Sequence, residues 1–459
     1  TGRSDYPNQV NNVIGFPYIF RGALDVRATC INEEMKLAAV RAIARLAHEP
    51  VPDVVNIAYN AKRFTFGKDY LIPKPLDPRL LTQVSIAVAK AAMESGVAKK
   101  PIHDWDAYYD RLRDMMGYDN KMMRGFVDTA RSNPKRVVFA EGMHINMIKA
   151  AVQAKAEGVA FPILLGNPDR IHLTAKKEHL DLTGIEIVNT RSPEEFERRR
   201  SFALIFTEEN GRNGVTFEEA RDDMYEPNHF GMMMVKTGQA DAFVTGVYSK
   251  YSESIALAKS IIGIRKEYKN FGALHILNTT KGTFFLADTL INRSPDAETL
   301  VDIAKLTHDA VRFFAHDPVM AMLSYSNFGA DQEQVKSTSN IVSDAVATLH
   351  RDYPDYVVDG EMQVNFALNK ELRDHKYRFT KLKGKTVNTL IFPCLSSANT
   401  TYTMLLEMGV CESIGPVQMG LKKPIHFTDV ESSVRDIFNL TVAAVIDAIV
   451  QEKKDNEKS

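Results

Sequence analysis

The sequence predicts an α/β protein with a helical first region and a longer region of two lobes, each a mostly parallel sheet covered by helices. Short β-rich runs alternate with helical segments from about residue 131 onward, and such alternation is typical of parallel sheets with helices on both faces. The chain has 459 residues, which is more than one typical core holds, so two or three domains are expected.

Residues 1–98 contain two strong helical patterns and no run of buried strands. The first pattern, "EEMKLAAVRAIARLA", follows Asn32, a plausible N-cap. Its apolar stripe comprises Leu37, Val40 and Ala44, with Ile43 and Ala47 beside it. The second pattern, "LLTQVSIAVAKAAMESG", ends at Gly96, a residue type that commonly closes helices. The region therefore has the character of the end of an α/β domain whose sheet lies earlier in the polypeptide.

Residues 99–130 are predicted to be a connecting helical segment. In "PIHDWDAYYDRLRDMM", large apolar side chains recur at helical spacing. They are Trp105, Tyr108, Tyr109, Leu112 and Met116. Such an aromatic stripe either packs one domain onto another or holds a ligand, and we favour packing.

The region 131–459 carries the strands of the two lobes. The predicted strands are "RVVFAEG", "FPILLG", "ADAFVTG", "GALHILN", "GTFFLAD", "PVMAMLSYS" and "VNTLIFP". Helices such as "INMIKAAVQAKAEG" and "SPDAETLVDIAKLTHDAVRFFA" separate them, and "VAAVIDAIV" indicates a buried helix. Ligands of such sheets bind beyond the carboxyl ends of the strands. Those ends lie at residues 140–142, 245–249, 324–330 and 392–399.

Charge and composition argue against several classes of protein. Lys plus Arg number 57 and Asp plus Glu number 58, which gives no electrostatic basis for binding nucleic acid or an anionic membrane surface. No apolar run approaches the ~18 residues of a membrane span, and no signal peptide is recognisable. Cys30, Cys394 and Cys411 form no CxxC pair, so we expect neither a disulfide framework nor a zinc site, and we place the chain in the cytoplasm.

Common cofactor and nucleophile motifs are missing from the sequence. No GxGxxG follows a strand and no GxxxxGK(S/T) occurs, so a self-contained dinucleotide or P-loop site is not supported. HExxH and GxSxG are missing as well, and the 12 histidines are scattered. We therefore predict no metal site and no serine hydrolase elbow within these residues.

Several polar segments near strand ends are candidates for chemistry. "SYSNFGA" (324–330) and "FPCLSSAN" (392–399) either present polar groups to a phosphate or pantetheine or form plain turns. "VDGEMQVN" (358–365) carries two acids, and a surface turn is favoured there over general acid/base work. Asp436, at the start of an apolar run, is either a catalytic base or a charged residue in the first turn of a helix.

The order of motifs after residue 130 resembles that of phosphate acetyltransferases. "KRVVFAEG", "FGMMMVKTGQADAFVTGVYS", "DPVMAMLSYSNFGA", "VVDGEMQVNFAL", "LIFPCLSSANTTY" and "GPVQMGLKKPIHFTD" carry this resemblance without large gaps. It implies a two-lobed fold similar to that of isocitrate and isopropylmalate dehydrogenases. One lobe would comprise about 131–268 with 426–459, and the other about 269–425.

The segment "TGRSDYPNQVNNVIGFPYIFRGALDVRATC" looks like the carboxyl-terminal end of bacterial malic enzymes. The two segments in this order resemble the large hybrid malic enzymes, which oxidise malate to pyruvate and CO₂ and are usually NADP-dependent. The chain starts at Thr1 rather than methionine, so we expect a piece of a longer polypeptide, with a processed mature chain as the alternative. The resemblance implies that a missing amino-terminal half carries the acid/base pair, the Mg or Mn carboxylates and the NADP or NAD loop. Of the malate site, Asn11 and Asn12 remain, unless they only cap the turn into "VIGFP".

The resemblance to acetyltransferases also assigns the reacting groups. It puts the base for the coenzyme A thiol at Asp436, and it puts cationic family positions at Val430, Ala256 and Phe328, with Asp429 before the first. Arginine suits such positions because its planar fork binds phosphate bidentately. Losing one preorganised charge stabiliser typically costs roughly 10²–10³ in rate. We therefore expect acetyl transfer to be lost and Asp436 to be a vestigial base.

The resemblance to hybrid malic enzymes implies that acetyl-CoA binds this region as an effector and restrains the malic enzyme. The expected contacts are Tyr248, Ser249, Tyr325, Ser326, Asn327, Ser397, Asn399, Lys423 and Asp436. An active phosphate acetyltransferase and an oligomerisation scaffold are the alternatives, and a homo-oligomer formed through the acetyltransferase-like region is compatible with each.

Overall fold

The computed structural model describes residues 8, 10–49, 51, 55, 59, 64–115, 121–314, 316–331 and 337–458. The chain divides into two compact units. One comprises Thr1–Lys121 with Lys176–His179, and the other comprises Met122–Ala175 with Leu180–Ser459.

The first unit is helical, as its sequence pattern predicts. After a 3-10 turn at Asn12–Ile14, its helices are α1 (Phe16–Asp25), α2 (Glu33–His48), α3 (Arg79–Glu94) and α4 (Trp105–Met115). Helices α1 and α2 both pack against α3. Asn32 caps α2 as predicted, because its side-chain oxygen accepts a 3.1 Å hydrogen bond from the Met35 N–H. Gly96 follows α3 with a φ of 76°, a left-handed conformation that favours glycine.

The face of α2 that packs inward differs from the predicted stripe. Leu37 and Val40 are 51% and 61% exposed. The buried residues of α2 are instead Met35, Ala39, Ala42, Leu46 and Ala47. Small residues let helices approach closely, and α1 shows the same preference, since a Cβ added at Gly22 would lie 2.4 Å from the Ser85 carbonyl oxygen. The buried face of α2 therefore combines the large side chains of Met35 and Leu46 with alanines that permit a close approach of the helices.

The connecting segment contains α4 and the following helix, α5 (Lys121–Ser132). Tyr108 and Leu112 are buried in the core of the first unit. The Tyr108 hydroxyl also donates a 2.9 Å hydrogen bond to the Asp25 carboxylate. Tyr109 is 40% exposed, and Met116 lies outside the described residues. The buried part of the aromatic stripe thus contributes to packing.

Five parallel strands form the first sheet of the second unit, in the order β11-β4-β1-β2-β3. They are β1 (Lys135–Phe139), β2 (Ala160–Leu165), β3 (Glu186–Val188), β4 (Ala242–Thr245) and β11 (Ile425–Phe427). Their helices are α6 (Ile145–Ala156), α7 (Pro168–Lys177), α8 (Phe196–Asn210), α9 (Phe217–Asp223), α10 (Pro227–Lys236), α11 (Tyr251–Ile261) and α17 (Val434–Lys458). Val137 lies in one core and Val138 in another, so both faces of this sheet are covered. We call this sheet and its helices the first lobe.

Six strands form the second sheet, in the order β10-β5-β6-β9-β7-β8. They are β5 (Gly272–Thr279), β6 (Gly282–Ala287), β7 (Met320–Leu323), β8 (Val358–Met362), β9 (Thr389–Ile391) and β10 (Cys411–Met419). Their helices are α12 (Ala297–Phe313), α13 (Thr338–Asp352), α14 (Val364–Leu368), α15 (Lys370–Lys376) and α16 (Leu395–Glu407). We call this sheet and its helices the second lobe.

The second sheet is less uniformly parallel than the sequence pattern predicts. Strands β6, β9, β7 and β8 run parallel, but β5 is antiparallel to both β10 and β6. Residues 280 and 281 alone connect β5 to β6. Only antiparallel strands can be joined by so short a connection, because a parallel pair needs a crossover of a dozen or more residues.

The predicted surface turn at residues 358–365 is wrong, because residues 358–362 form β8 at one edge of the second sheet. Asp359 accepts hydrogen bonds from the Thr380 hydroxyl at 2.6 Å and the Lys381 N–H at 2.8 Å. Glu361, which is 2% exposed, accepts a 2.6 Å hydrogen bond from the Gly329 N–H. Buried carboxylates need such partners. The two acids therefore bind the segments around Thr380 and Gly329 to the edge strand.

The described residues contain neither a membrane-spanning helix nor a cluster of metal ligands. None of their helices combines the length and the hydrophobicity that crossing a membrane requires. Their His, Cys, Asp and Glu side chains form no group of three or more that could hold a metal ion.

Candidate functional site

The carboxyl ends of β4 and β11 bring two loops of the first lobe together, 246–250 and 428–433. The strands are paired in parallel, with Phe427 opposite Thr245. The Thr428 N–H continues the pairing by donating a 2.7 Å hydrogen bond to the Thr245 carbonyl. A Cβ at Gly246 would lie 2.1 Å from the Thr428 carbonyl oxygen, so only glycine permits this approach. Tyr248, Ser249 and Asp429 consequently share one edge of the sheet, where ligands of parallel sheets bind.

The Glu141 carboxylate occupies the N–H donors of the 246–249 loop. Its Oε2 atom accepts hydrogen bonds from the N–H groups of Gly246 at 2.8 Å and Val247 at 2.7 Å. Its Oε1 atom accepts from the N–H groups of Tyr248 at 2.8 Å and Ser249 at 3.0 Å, and from the Ser249 hydroxyl at 3.0 Å. A row of N–H groups of this kind can hold an anion, and here the anion is part of the protein. These four N–H groups are therefore already satisfied within the protein.

Asp436 forms a capping box with Ser433 at the start of α17. The Asp436 carboxylate accepts hydrogen bonds from the Ser433 N–H at 3.0 Å and the Ser433 hydroxyl at 2.8 Å. In return the Asp436 N–H donates a 3.2 Å hydrogen bond to the Ser433 hydroxyl. This reciprocal pair satisfies two backbone donors that the helix itself leaves without partners. Asp436 therefore has a structural task in the first turn of the helix, whatever else it does.

The positions that the resemblance assigns to cations are not cationic in the folded structure either. Val430 is 62% exposed, and Ala256 is exposed on α11. Phe328 packs against the rings of Tyr377 and Phe379, with centroid distances of 4.7 and 5.0 Å. All three positions therefore carry apolar side chains.

Arg435, the cation next to Asp436 in sequence, is paired with another residue. It donates a 2.7 Å hydrogen bond to the carboxylate of Glu412 on β10, and this ion pair joins the first turn of α17 to the second sheet. Its charge is thereby offset. Asp429 adds negative charge, and its pKa is raised because its carboxyl group is partly desolvated and lies near Asp436 and Glu431. The residue as a whole remains exposed.

Two tyrosines from different lobes lie near Asp429. Tyr251 begins α11, and its hydroxyl accepts a 2.7 Å hydrogen bond from the Gln418 amide. Burial raises the pKa of Tyr251, and Asp288 and Asp429 raise it further. Burial likewise raises the pKa of Tyr402, on α16, to about 12, with Asp429 and Asp436 contributing. Both hydroxyls stay neutral in the physiological range, so the walls near Asp429 present hydroxyl and carboxylate groups.

The 324–330 loop is tied to the edge strand of the second sheet. Asn327 and Gln363 exchange hydrogen bonds, since each accepts a 2.9 Å bond from the other. The Gln363 amide also donates a 2.8 Å bond to the Tyr325 carbonyl, and the Tyr325 hydroxyl bonds to Asp331. Ser326 is 8% exposed. Of the three predicted contacts in this loop, Tyr325 is the most accessible to a ligand.

The remaining predicted contacts lie in two different places. The Ser397 hydroxyl, in the first turn of α16, donates a 2.9 Å bond to the Cys394 carbonyl. Asn399 is half-buried one turn before Tyr402 on the same helix. Lys423 precedes β11, at the amino end of that strand and therefore at the opposite edge of the sheet from Tyr248. The structure thus places Tyr248, Ser249 and Asp436 at the same edge of the first sheet as Asp429, and it places Lys423 at the opposite edge.

In the first unit, the two predicted malate residues differ in their surroundings. Asn11 accepts a 3.1 Å hydrogen bond from the Val13 N–H and caps the 3-10 turn. Asn12 is exposed and begins that turn. The cap considered from the sequence is therefore present at Asn11, while Asn12 keeps an accessible amide.

Sequence reasoning missed the residues that organise this site. Glu141, Tyr251, Tyr402, Gln418 and Ser433 were not singled out. Glu141 had a signal, because it directly follows a predicted strand in "AEG". Ser433 also had one, because serine three residues before an acid, at the start of an apolar run, is typical of a capping box. Tyr251, Tyr402 and Gln418 gave no local signal, since their role depends on contacts between distant segments.

Comparison with known proteins gives the class to which this site belongs. The sequence pattern of the phosphate acetyl/butaryl transferases matches residues 121–445, and the chain belongs to that family. A phosphate acetyltransferase from Thermoanaerobacterium thermosaccharolyticum is 30% identical over 334 residues, which cover 71% of this chain and 99% of that protein. The solved phosphotransacetylase from Streptococcus pyogenes superimposes with a TM-score of 0.66 at 27% identity, covering 72% of this chain and 99% of its own. The predicted α/β fold is thereby confirmed.

The similarity to malic enzymes extends over nearly the whole chain. The NADP-dependent malic enzyme of Escherichia coli K12 is 41% identical over 456 residues, which cover 98% of this chain and 59% of that protein. An NAD-dependent malic enzyme of Rhizobium meliloti is 39% identical over 453 residues, covering 98% of this chain and 58% of that protein. The chain therefore spans less than two thirds of the length of these curated relatives. The predicted resemblance to a malic enzyme with an acetyltransferase-like part is confirmed.

Proposed function

We propose that this chain is the acetyl-CoA-binding, regulatory part of a malic enzyme, and that its acetyltransferase-like region does not transfer acetyl groups. One observation carries the proposal, namely the electrostatics of the segment 428–436. That segment presents Asp429 and Val430 where the resemblance expects a serine and an arginine, and its one arginine, Arg435, is bound to Glu412.

Acetyl transfer to phosphate needs fixed cations, because a phosphate dianion has to be held beside the thioester. Removal of one such stabiliser typically costs about 3–4 kcal/mol in the transition state. Here three family positions lack a cation, and Asp429 adds repulsion. The four N–H groups of the 246–249 loop are bound to Glu141 and offer no substitute. The missing cations, the charge of Asp429 and the occupied N–H groups all act against catalysis.

Acetyl-CoA binding makes different demands on the same surface. A thioester is uncharged, so carboxylates do not repel it, and the Tyr402 hydroxyl remains a hydrogen-bond donor in the physiological range because its pKa is raised to about 12. We propose contacts from Tyr248, Ser249, Ser397 and Asn399. Asp436 would then shape the pocket through α17 rather than abstract a proton.

The regulated reaction is the oxidation and decarboxylation of malate to pyruvate and CO₂ with NADP or NAD. The names of the similar proteins support this reaction, and they include both NADP- and NAD-dependent enzymes. Regulation requires that acetyl-CoA bind two states of the enzyme with different affinity. Closure of the two lobes on the ligand is the route that we propose, with a restraining effect on malate oxidation.

Calorimetric titration of the 459-residue chain with acetyl-CoA tests the binding step. Saturable heat with one site per chain is expected. Lack of heat and of any thermal shift at millimolar acetyl-CoA would exclude the effector role.

An active phosphate acetyltransferase is the second candidate, because Asp436 is retained and the similarity to such an enzyme covers 99% of that protein. The two candidates differ in one product. An active enzyme releases free coenzyme A thiol when phosphate is added to acetyl-CoA, and a silent sensor does not.

A further inference from the structure

A crevice opens at the carboxyl edge of the first sheet where the strand order reverses. From β1 the chain continues to β2 and β3 on one side, whereas β4 lies on the other side of β1. The loops that follow β1 and β4 therefore leave in opposite directions, which is the usual location of ligand sites in such sheets. The crevice has a volume of about 420 Å³ and is lined by Met143, Arg170, Leu173, Thr174 and Tyr248. This volume falls within the range typical of small-molecule sites.

The lining combines one cation with apolar walls. Arg170 is exposed, and among the described residues no carboxylate forms an ion pair with its guanidinium group. Thr174 contributes a hydroxyl. Leu173 and Tyr248 are 54% and 66% exposed, so apolar surface is open to a ligand on both sides. A planar apolar group that carries a phosphate fits these surroundings, because arginine binds phosphate with a fork of N–H donors.

The crevice adjoins the acidic segment 428–436. Tyr248 lines the crevice and lies in the same loop as Ser249. The His144 ring stands edge-on to the Tyr248 ring at 5.2 Å, and burial lowers the pKa of His144, which keeps it neutral near pH 7. Asn146, at the start of α6, donates a 3.1 Å hydrogen bond to the Ser432 carbonyl. A ligand can therefore extend along one edge of the sheet, from a cationic end to an acidic end.

Acetyl-CoA has a matching asymmetry. Its nucleotide end carries phosphate charges on a planar base and sugar, and its thioester end is neutral. We infer that Arg170 and Thr174 bind the phosphorylated nucleotide of acetyl-CoA in this crevice, with Tyr248 as an apolar wall and the thioester directed toward Asp429. This inference rests on the proposed function, since it assigns an orientation to the same ligand.

Calorimetry with two ligands and matched variants tests the assignment. Acetylpantetheine has the thioester end and lacks the nucleotide. For Arg170→Gln, affinity for acetyl-CoA is expected to fall by roughly five- to tenfold, a modest loss because the site is exposed, while affinity for acetylpantetheine changes by less than about twofold. Arg170→Lys should recover part of the acetyl-CoA affinity. Arg212→Gln, an exposed arginine outside the crevice lining, serves as the control and should bind both ligands as the unmodified chain does.

Each other result overturns the inference in a recognisable way. Unchanged acetyl-CoA affinity in Arg170→Gln would reject the crevice and leave the effector role standing. An equal loss for both ligands would show that Arg170 acts through the structure of the lobe. If the unmodified chain does not bind acetyl-CoA, the proposed function and this inference both fail.

Discussion

Replacement of Glu141 by glutamine is expected to destabilise the 246–249 loop strongly. The Glu141 carboxylate accepts five hydrogen bonds, from four N–H groups and one hydroxyl. A glutamine amide offers one oxygen and one NH₂ group, so two or three of these donors would face another donor. An unsatisfied donor costs about 1–3 kcal/mol when buried. Because this loop is only partly buried, we expect a total near 2–4 kcal/mol.

Hydrogen exchange of the peptide spanning residues 242–250 measures this effect locally, which suits a chain of two units that need not unfold in one step. The N–H groups of 246–249 should exchange at least tenfold faster in Glu141→Gln, since 1.4 kcal/mol corresponds to a factor of ten. Glu407→Gln, at an exposed helix end, is the control and should leave the peptide unchanged. Unchanged exchange in Glu141→Gln would refute the claim that Glu141 holds these donors.

Further predictions concern the cap, the acidic charge and the joint between the sheets. Ser433→Ala and Asp436→Ala should each lower the free energy of unfolding by about 1 kcal/mol in urea titrations, and the double variant should lose less than the sum, whereas additive losses would argue against a capping box. At pH values well above 4, Asp429→Asn should raise the thermal unfolding midpoint. The raised pKa of Asp429 means that its ionised carboxylate destabilises the fold. The gain should vanish as pH falls and Asp429 becomes protonated in the unmodified chain, so a gain that persists at low pH would contradict an electrostatic cause. Gln418→Leu should cost about 2 kcal/mol, because it removes the partner of the Phe427 N–H and of the Tyr251 hydroxyl; a loss below about 0.5 kcal/mol in the same titrations would show that neither bond matters.

Much of the fold follows from local patterns in the sequence. The predicted strand "RVVFAEG" overlaps β1 in all but its first residue, and the predicted helix "INMIKAAVQAKAEG" contains α6. Both are long enough, and regular enough in hydrophobic spacing, for one pattern to dominate. By contrast, β8 carries Asp359 and Glu361, and buried carboxylates in a strand are expected only once their partners are known. Local polarity therefore predicted a turn where distant donors stabilise a strand.

The candidate site was predictable in part. Loops after strands can be placed from the pattern alone, which is why Tyr248 and Ser249 were identified. The acid at 436 was also found, but its bonds to Ser433 are visible only in the structure. The inward face of α2 shows the same limit, because the predicted stripe and the observed one both satisfy a helical period, and the neighbouring helix decides between them.

Phosphate-dependent release of coenzyme A thiol from acetyl-CoA tests the central claim most directly. The assay uses the 459-residue chain with acetyl-CoA at concentrations above the dissociation constant that the proposed calorimetry would give. Because Val430, Ala256 and Phe328 leave the phosphate without cations, thiol should form no faster with phosphate than without it. Rapid thiol release that saturates with phosphate concentration would contradict the account and identify the region as a working acetyltransferase.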